Sequence, residues 1–217
     1  MARTSQEYKE LSIREFTKAA GKYESNMAGI YELCKKDYPD ILAEIEKEDF
    51  ESLLDAGCGP APMISLLARK YPDKKYTGLD LTAAMIEQAK KKNIPNAEFI
   101  VGDCENLPFE ANRFDVIICS MSAHHYPEIQ KFYNSAYKVL KPNGRLILRD
   151  MTTDNKIVRW LVDHLEMPLA GLLGKGDVGM LKREDVRAGM EKAGFTVECC
   201  EKRKGLRLHA VARKNVK

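Results

Sequence analysis

The chain has 217 residues, of which 44% are hydrophobic and 31% are charged, a composition typical of a globular protein with one sizeable core. Its 35 basic and 32 acidic residues give a net charge of +3, which is too balanced to indicate a nucleic-acid-binding protein. The opening residues form no apolar signal region, and no apolar run reaches the length of a membrane span. The six cysteines show no C-x-x-C spacing. We therefore expect a cytoplasmic protein with reduced thiols, no membrane contact and no metal site.

The pattern of apolar residues predicts alternating strands and helices after residue 50. Residues 1–50 are predicted to be mainly helical, either covering the ligand-binding end of the fold or packed on its core. The predicted strands are 52–57, 75–81, 97–103, 114–121 and 145–150 with a strand pair over 196–214, and the predicted helices are 63–71, 83–92, 127–141, 154–166 and 183–194. Such alternation requires crossover connections between parallel strands. The sequence therefore predicts an α/β fold: a doubly wound, Rossmann-like, seven-stranded and mostly parallel sheet with one antiparallel edge strand and helices on both faces.

The stretch "LLDAGCGPAP" carries the densest signal, because it places two glycines where the first strand turns into the first helix. Gly57 and Gly59 allow positive φ and a close approach of the backbone to a ligand. A dinucleotide fingerprint requires a third glycine where Pro62 stands, and Pro60 and Pro62 remove N–H donors that a pyrophosphate needs. Asp55 would also repel a pyrophosphate but suits a cation. The turn therefore favours a positively charged nucleoside without phosphates, and S-adenosylmethionine fits that description.

A second acid, Asp80, ends the second predicted strand. A carboxylate at that position can accept hydrogen bonds from both hydroxyls of a ribose, although dinucleotide-binding enzymes use the same device. Leu81 and Met85 are placed to sandwich an adenine ring, whereas Met85 at helical spacing is equally typical of a core residue. These residues alone leave the choice between a nicotinamide cofactor and S-adenosylmethionine open.

Five consecutive segments resemble the signature segments of class I S-adenosylmethionine-dependent methyltransferases, close to the small-molecule "type 11" group. The segments are "LLDAGCGPAP", "GLDLTAAMIEQAK", "VGDCENLPF", "FDVIICSMSAHHY" and "VLKPNGRLIL", in the family's order and spacing. One departure is Ala61, which stands where the family usually has a third glycine. The resemblance implies that Asp103 accepts a hydrogen bond from the adenine amino group beside the Cys104 amide. In "FTKAAGKYE" it implies that the Tyr23 hydroxyl closes over the methionine end of the cofactor.

The glycine turn, the strand ends and the resemblance together predict one cofactor site. The predicted cofactor-binding residues are Tyr23, Asp55, Ala56, Gly57, Gly59, Asp80, Leu81, Met85, Asp103, Cys104 and Ser120. The expected organisation is a single domain with a helical cap over 1–50, a cofactor-binding core over 51–150, a substrate lid over 151–181, and a C-terminal helix with a strand pair over 182–217.

The candidate catalytic residues are His124 and His125, which follow the fourth predicted strand, where a methyl acceptor should meet the cofactor. Histidine can act as a general base near neutral pH. Adjacent residues of an extended segment point in opposite directions, so only one ring is expected to face the site, and His125 is favoured. A capping or packing role for either histidine is the alternative.

Candidate substrate residues are Tyr126 beside the histidines, and Trp160 and His164 on the helix of the lid. If Trp160 faces inwards, His164 at i+4 shares its face. A helix that merely covers the sheet is the alternative.

The sequence predicts methyl transfer from S-adenosylmethionine to a small-molecule acceptor by in-line displacement. An NAD-dependent reductase shares the fold and Asp80 but requires the intact glycine fingerprint. A nucleic-acid methyltransferase that flips its base would carry an aromatic motif such as Asn-Pro-Pro-Tyr after the fourth strand, where this chain has "SMSAHHY". A nucleic-acid partner is therefore not expected. A nucleic-acid or protein methyltransferase, or a cofactor-binding protein without turnover, stays an alternative, and the sequence leaves the acceptor atom and the oligomeric state open.

Overall fold

A computed structural model describes residues 3–25 and 30–216 of the chain. Its helices are α1 (Ser5–Ala19), α2 (Ile30–Lys35), α3 (Tyr38–Ile45), α4 (Pro62–Lys70), α5 (Ala83–Lys91), α6 (Ile129–Val139), α7 (Lys156–Leu161), α8 (Met167–Leu172) and α9 (Arg183–Lys192). Its strands are β1 (Ser52–Ala56), β2 (Lys75–Asp80), β3 (Ala97–Val101), β4 (Phe114–Ser120), β5 (Leu140–Met151), β6 (Phe195–Arg203) and β7 (Arg207–Lys214). Turns of 3₁₀ helix cover Ala20–Ser25, Cys104–Asn106 and Ala123–His125, and a π-helical turn, Val162–Glu166, joins α7 to α8.

The seven strands form one sheet in the order β3-β2-β1-β4-β5-β7-β6. The first five in that order pair in parallel, and β7 pairs antiparallel with both β5 and β6. The predicted doubly wound, mostly parallel sheet of seven strands is confirmed. The position of the antiparallel strand differs from the prediction: β7 lies beside the edge strand rather than at the edge. The reason is that β6 and β7 form a hairpin around Gly205, with φ of 75°, and the second strand of the hairpin inserts next to β5.

Helices cover both faces of the sheet, as predicted. Apolar residues alternate along the central strands, so that Leu53 faces one side and Leu54 the other. The first side is packed against α3, α4 and α5, and the second against α6 and α9. The strand order reverses between β1 and β4, and in such sheets the ligand site lies beyond the carboxyl ends of the strands at that point.

The described parts of the N-terminal segment lie in two different places. Helix α1 begins at a capping box in which Thr4 and Glu7 exchange hydrogen bonds. It crosses the ligand end of the sheet, where the Ser12 hydroxyl donates to the Gly176 carbonyl. Helix α3 instead belongs to the core, because Ile41 and Ile45 are buried beneath the sheet.

The predicted helix over 154–166 is longer in the structure, because α7, the π-helical turn and α8 follow one another from Lys156 to Leu172. Within the described residues, we find no helix with the combination of length and apolar character that crossing a membrane requires. All six cysteines are free thiols.

Candidate functional site

A cavity of about 220 Å³ lies beyond the carboxyl ends of β1, β2 and β4, beneath the N-terminal segment. Its lining includes Phe16, Tyr23, Leu33, Cys34, Asp55, Gly57, Gly59, Asp80, Met85, Ser120, Met121, His124, His125, Met151 and Asp177. Several parts of the chain that are distant in sequence therefore meet at the point where the strand order reverses.

The turn after β1 needs its two glycines for different reasons. The backbone N–H of Gly57 donates to the Leu79 carbonyl at 2.8 Å, which fastens the turn to the end of β2. Gly57 has φ of 81°, and a Cβ there would lie 2.0 Å from the Ser122 hydroxyl oxygen. Gly59 has φ of 53°, and a Cβ there would meet nothing within 4 Å. Gly57 therefore permits close packing, and Gly59 leaves its side of the cavity open.

Ala61, where the family usually has a third glycine, takes the backbone conformation that glycine favours. Its φ is 59°, and it precedes Pro62 in the first turn of α4. The residue is fully buried. An alanine in this left-handed conformation carries a steric cost that glycine avoids.

The Asp80 carboxylate is fixed by backbone donors on both sides. One oxygen accepts from the Gly59 N–H at 2.9 Å, and the other accepts from the Thr82 N–H at 2.8 Å. Burial raises the pKa of Asp80 above its usual value, although these hydrogen bonds oppose the shift. The carboxylate therefore links the glycine turn to the start of α5 and lines the cavity between them.

Asp55 is a buried carboxyl group at the end of β1 that also lines the cavity. Burial, and to a smaller extent the charge of Asp80, raises the pKa of Asp55 to about 7. Among the described residues, no hydrogen bond compensates its charge. A cation in the cavity would favour the ionised form, because opposite charges stabilise each other.

Ser120, at the end of β4, provides a further polar group to this cavity. Its hydroxyl oxygen is buried and has no hydrogen-bond partner within the part of the chain that the structure describes. A buried polar group without a partner is costly, so the position is suited to a polar ligand.

The residues predicted to surround adenine border a second, smaller cavity of about 50 Å³, which adjoins the first. Leu81, Asp103 and Cys104 line it, whereas Met85 lines only the larger cavity. The Lys9 ammonium of α1 donates to the Asp103 carboxylate at 2.7 Å. The other Asp103 oxygen accepts from the Glu105 N–H at 2.9 Å. An adenine amino group would therefore share the Asp103 carboxylate with a lysine.

Both candidate histidines face the larger cavity, in contrast to the expectation that only one would. They lie in a 3₁₀ turn, Ala123–His125, rather than in an extended segment, so the two side chains do not point in opposite directions. Their ring centroids are 4.1 Å apart. The His125 ring also makes an edge contact with Phe16, with centroids 5.1 Å apart.

His124 is oriented by Asp150, a fully buried carboxylate at the end of β5. Its Nδ1 lies 2.8 Å from one Asp150 oxygen, and its backbone N–H donates to the other at 3.2 Å. This arrangement leaves Nε2 as the available nitrogen. Burial alone would lower the pKa of His124, but the Asp150 carboxylate outweighs burial and raises that pKa above its usual value.

The electrostatic environment of His125 is different. Burial, together with the neighbouring His124, lowers the pKa of His125 to about 4. Its Nδ1 is buried without a hydrogen-bond partner among the described residues. At neutral pH His125 is therefore a neutral ring and a weaker base than His124.

Asp177, in the loop after α8, faces both histidines. Its carboxylate lies 3.6 Å from Nε2 of His124 and 3.7 Å from Nδ1 of His125. The Val178 N–H donates to the His124 carbonyl at 2.9 Å, which fixes the loop over the 3₁₀ turn. The ligand atoms of these three side chains lie within 4.8 Å of one another, so the group could also hold a metal ion.

The remaining predicted residues occupy different places. The Tyr126 hydroxyl lies beneath the glycine turn, 2.8 Å from the Ser122 hydroxyl, and its ring borders the smaller cavity. Ala56 is fully buried and lines neither of the two cavities, and its carbonyl accepts from the Tyr126 hydroxyl at 3.4 Å. Trp160 and His164 do share one face of their helix, with stacked rings 5.0 Å apart, but Trp160 is 54% exposed and neither residue lines the two cavities.

Sequence reasoning missed Asp150, Asp177 and Lys9. Asp150 could have been found, because it follows the apolar run of β5 as Asp55 follows that of β1. Asp177 and Lys9 carry no comparable signal. Asp177 lies in a loop and Lys9 lies in a helix that looks exposed, so neither residue follows an apolar strand.

Comparison with known proteins gives a consistent picture. Residues 54–148 match the family model described as a methyltransferase domain. The phthiotriol/phenolphthiotriol dimycocerosates methyltransferase 1 of Mycobacterium ulcerans is 37% identical over 145 residues, which cover 66% of this chain and 52% of that protein. The fatty-acid O-methyltransferase of Mycolicibacterium smegmatis is 34% identical over 156 residues, covering 71% of this chain and 55% of that protein. The chain thus spans about half the length of these curated relatives.

Solved structures establish the same fold. A putative methyltransferase from Bacillus halodurans aligns with a TM-score of 0.70 at 22% identity, covering 83% of this chain and all of that one. At this level of identity the likeness concerns the fold alone. The match to the family model spans residues 54–148, which include the ends of β1, β2 and β4 beside the cavity. Residues 54–148 thus match the methyltransferase domain family.

Proposed function

We propose that this protein transfers a methyl group from S-adenosylmethionine to an apolar small-molecule acceptor. The observation that carries the proposal is that one cavity joins two carboxyl groups at a glycine turn, the buried Asp55 and the half-buried Asp80, to an oriented histidine, His124. The carboxylates suit a cationic nucleoside, and the histidine suits removal of a proton from an acceptor.

The residues of the cavity fit the cofactor. Asp80 would accept hydrogen bonds from the ribose hydroxyls, and Asp55 would face the positive charges of the methionine end. Ser120 offers a buried hydroxyl that lacks a partner among the described residues. Leu81, Asp103 and Cys104 would surround adenine in the smaller cavity. The Tyr23 ring also lines the larger cavity, which supports its predicted position over the methionine end.

When bound, the cofactor supplies a methyl group that is already activated by a sulfonium. The protein's contribution is then to align the acceptor, to exclude water and, where the acceptor carries a proton, to remove it. Alignment alone can supply roughly 7–11 kcal/mol. Phe16 and the α1 helix cover the cavity from above, which serves the exclusion of water.

We assign the proton transfer to Nε2 of His124. The Asp150 carboxylate holds Nδ1, so it selects the tautomer and stabilises the charged ring that results. The lowered pKa of His125 makes that ring a poorer base, and its edge contact with Phe16 gives it a role as a wall of the cavity. This assignment replaces the expectation from sequence that His125 is the base.

An apolar acceptor is supported by the other lining residues and by the relatives. Leu33, Met121 and Met151 also line the cavity. The two curated relatives are named for a fatty acid and for phthiotriol lipids, both strongly apolar substrates. We therefore propose a lipid-like acceptor with a hydroxyl, carboxyl or acidic carbon.

The test is methyl transfer from labelled S-adenosylmethionine by the full chain, with a panel of fatty acids, long-chain alcohols and reduced quinones. Transfer to one apolar class, at a rate above that with transfer RNA or with a protein lysate, is the expected result. Cofactor binding without transfer to any apolar compound would overturn the acceptor class. Absence of binding to S-adenosylmethionine and S-adenosylhomocysteine, or comparable binding of NAD, would overturn the whole proposal.

A chelator arm addresses the group formed by His124, His125 and Asp177. If His124 acts as a base, transfer continues in the presence of EDTA. Loss of transfer with EDTA and recovery with a divalent ion would replace the base by metal-assisted activation of the acceptor.

A further inference from the structure

The helical segment from α7 to α8 exposes an unusual amount of apolar surface. We call its seven large exposed apolar side chains the apolar ridge: Ile157, Trp160, Leu161, Leu165, Leu169, Leu172 and Leu173. Leu172 is 84% exposed and Ile157 is 72% exposed. Between residues 156 and 173 only Val162 and Gly171 are buried. Packing against the rest of the protein therefore does not explain these side chains.

Five of the seven ridge residues recur at near-helical spacing along the segment. Positions 157, 161, 165, 169 and 172 follow each other at intervals of four or three residues, which places them along one stripe. Charged residues follow a second stripe at 159, 163 and 166. With Lys156, the segment carries two positive and two negative side chains, so it has an apolar face and a balanced polar face.

The ridge is followed along the chain by residues that line the larger cavity. The loop that follows α8 brings Lys175 and Asp177 to the cavity lining. The Arg3 guanidinium donates to the Gly171 carbonyl at 2.7 Å, so α8 is attached to the N-terminal segment above the site. A surface that contacts the ridge would therefore lie near the segments that enclose the larger cavity.

We propose that the apolar ridge docks onto the surface of a phospholipid bilayer, from which the lipid-like acceptor reaches the cavity. The choice of a lipid surface rests on the proposed function, because an apolar acceptor is concentrated in membranes. An amphipathic helix with leucines and a tryptophan is suited to the interface, where the indole ring has one apolar and one polar side. Its balanced charges imply that apolar contact, not attraction to anionic headgroups, drives the binding.

Trp160 provides a direct probe, because it is the only tryptophan in the chain. The full chain is mixed with vesicles of phosphatidylcholine containing a minor fraction of phosphatidylglycerol. We expect a shift of the Trp160 emission to shorter wavelength, quenching by brominated acyl chains, and co-flotation that changes little with added salt. Unchanged emission with no co-flotation would overturn the proposal, and binding that disappears with salt would replace the apolar contact by an electrostatic one.

A matched pair of variants separates the ridge from general hydrophobicity. Leu169→Asp/Leu172→Asp changes two exposed ridge residues and should lower the vesicle partition coefficient roughly tenfold or more. Val101→Asp/Val216→Asp makes the same chemical change at two exposed sites outside the segment and should leave it unchanged. Equal losses in the two variants would overturn the proposal. Circular dichroism and binding of S-adenosylhomocysteine confirm that each variant is folded.

Two further outcomes have definite meanings. Doubling of the sedimenting mass together with a concentration-dependent shift of Trp160 emission, without vesicles, would assign the ridge to a second copy of the chain. Vesicle binding is measured without turnover, so its failure is distinct from failure of methyl transfer. Transfer to a short, water-soluble acyl acceptor tests the proposed function independently.

Discussion

The cofactor half and the acceptor half of the site are built in different ways. Asp55 and Asp80 lie at the ends of the neighbouring parallel strands β1 and β2. The strands, turns and helices around them follow each other directly along the chain. On the acceptor side, His124 is held by Asp150 of another strand and faces Asp177 of a distant loop. The first half is a local product of strand, turn and helix. The second half exists only when the whole sheet and the segment after β5 are assembled.

The difference has an electrostatic counterpart. The cofactor half concentrates uncompensated negative charge, so that burial raises the pKa values of Asp55 and Asp80. The acceptor half is internally balanced, because the Asp150 carboxylate is paired with His124. We therefore expect ligand binding in the cofactor half to depend on the charge of the ligand. Activity in the acceptor half should depend on pH through the His124 ring.

The largest effect is expected in the acceptor half. His124→Ala should lower kcat roughly 10²–10⁴-fold with little change in cofactor affinity, because a positioned base is lost and the cofactor contacts are not. Steady-state kinetics and calorimetry measure the two quantities. His125→Ala removes the adjacent ring from the same wall and should lower kcat by less than about tenfold. A larger loss for His125→Ala would restore that residue as the base.

The next effect concerns the stability of the cofactor half. The folded-state pKa of Asp55 is about 7, above the usual value of an aspartate, so the ligand-free protein loses stability as pH rises from about 4 to about 7. Asp55→Asn should therefore raise the free energy of unfolding at about pH 8 by up to about 4 kcal/mol, while weakening binding of the cationic cofactor. Urea unfolding at two pH values measures the stability change.

Asp115→Asn is the control of opposite sign for this experiment. Burial opposes the shift, but Lys141 and Ser52 hold the pKa of Asp115 below its usual value. Its contribution to stability is present above the unfolded-state pKa and is lost as pH falls, so the amide should lower stability at neutral pH. If Asp55→Asn and Asp115→Asn change the free energy of unfolding in the same direction, the difference between the two carboxylates is not electrostatic.

A smaller effect tests the ribose contact. Asp80→Asn should raise the Kd of S-adenosylhomocysteine roughly 10–10²-fold, since hydrogen bonds to a charged group contribute about 1.5–3 kcal/mol. Asp73→Asn makes the same change at an exposed residue just before β2 and should leave the Kd unaltered. A Kd for Asp80→Asn within twofold of the parent would remove Asp80 from the ribose site.

The pH profile distinguishes a positioning residue from a structural one. Asp150→Asn removes the charge that raises the pKa of His124, so the rise of kcat with pH should move to lower pH. Asp177→Asn should move it less, because that carboxylate is farther from the ring. A profile that keeps its midpoint in Asp150→Asn, in protein that still binds cofactor, would assign Asp150 to packing alone.

The smallest effect sharpens the account of the glycine turn. Ala61→Gly should raise the free energy of unfolding by up to about 1 kcal/mol, because glycine adopts the φ of 59° without steric cost. Ala68→Gly, in the ordinary helical part of α4, should lower it by about 0.5–1 kcal/mol. Thermal unfolding compares the two, and changes of the same sign would indicate that Ala61 is unstrained.

The contrast between the halves also explains what sequence can predict. The sheet and the positions of Asp55 and Asp80 follow from local patterns, because strand ends and glycine turns are encoded within a few residues. The sequence did not predict that both histidines face the cavity, because a 3₁₀ turn and an extended segment cannot be distinguished by pattern over three residues. The outward position of Trp160 could not be predicted either, because both faces of its helix are largely exposed and periodicity alone does not say which one meets the protein.

The place of β7 in the sheet has a consequence for synthesis. Strand β7 follows β6 along the chain but inserts between β5 and β6, so until residues 207–214 have left the ribosome, β5 is an open edge and β6 has no partner strand. An open edge with free N–H and C=O groups promotes pairing with other chains. The strand that carries Asp150, β5, therefore gains its second neighbouring strand only when β7 has been made. A nascent chain that stops before residue 207 would be an aggregation-prone intermediate rather than a smaller working domain.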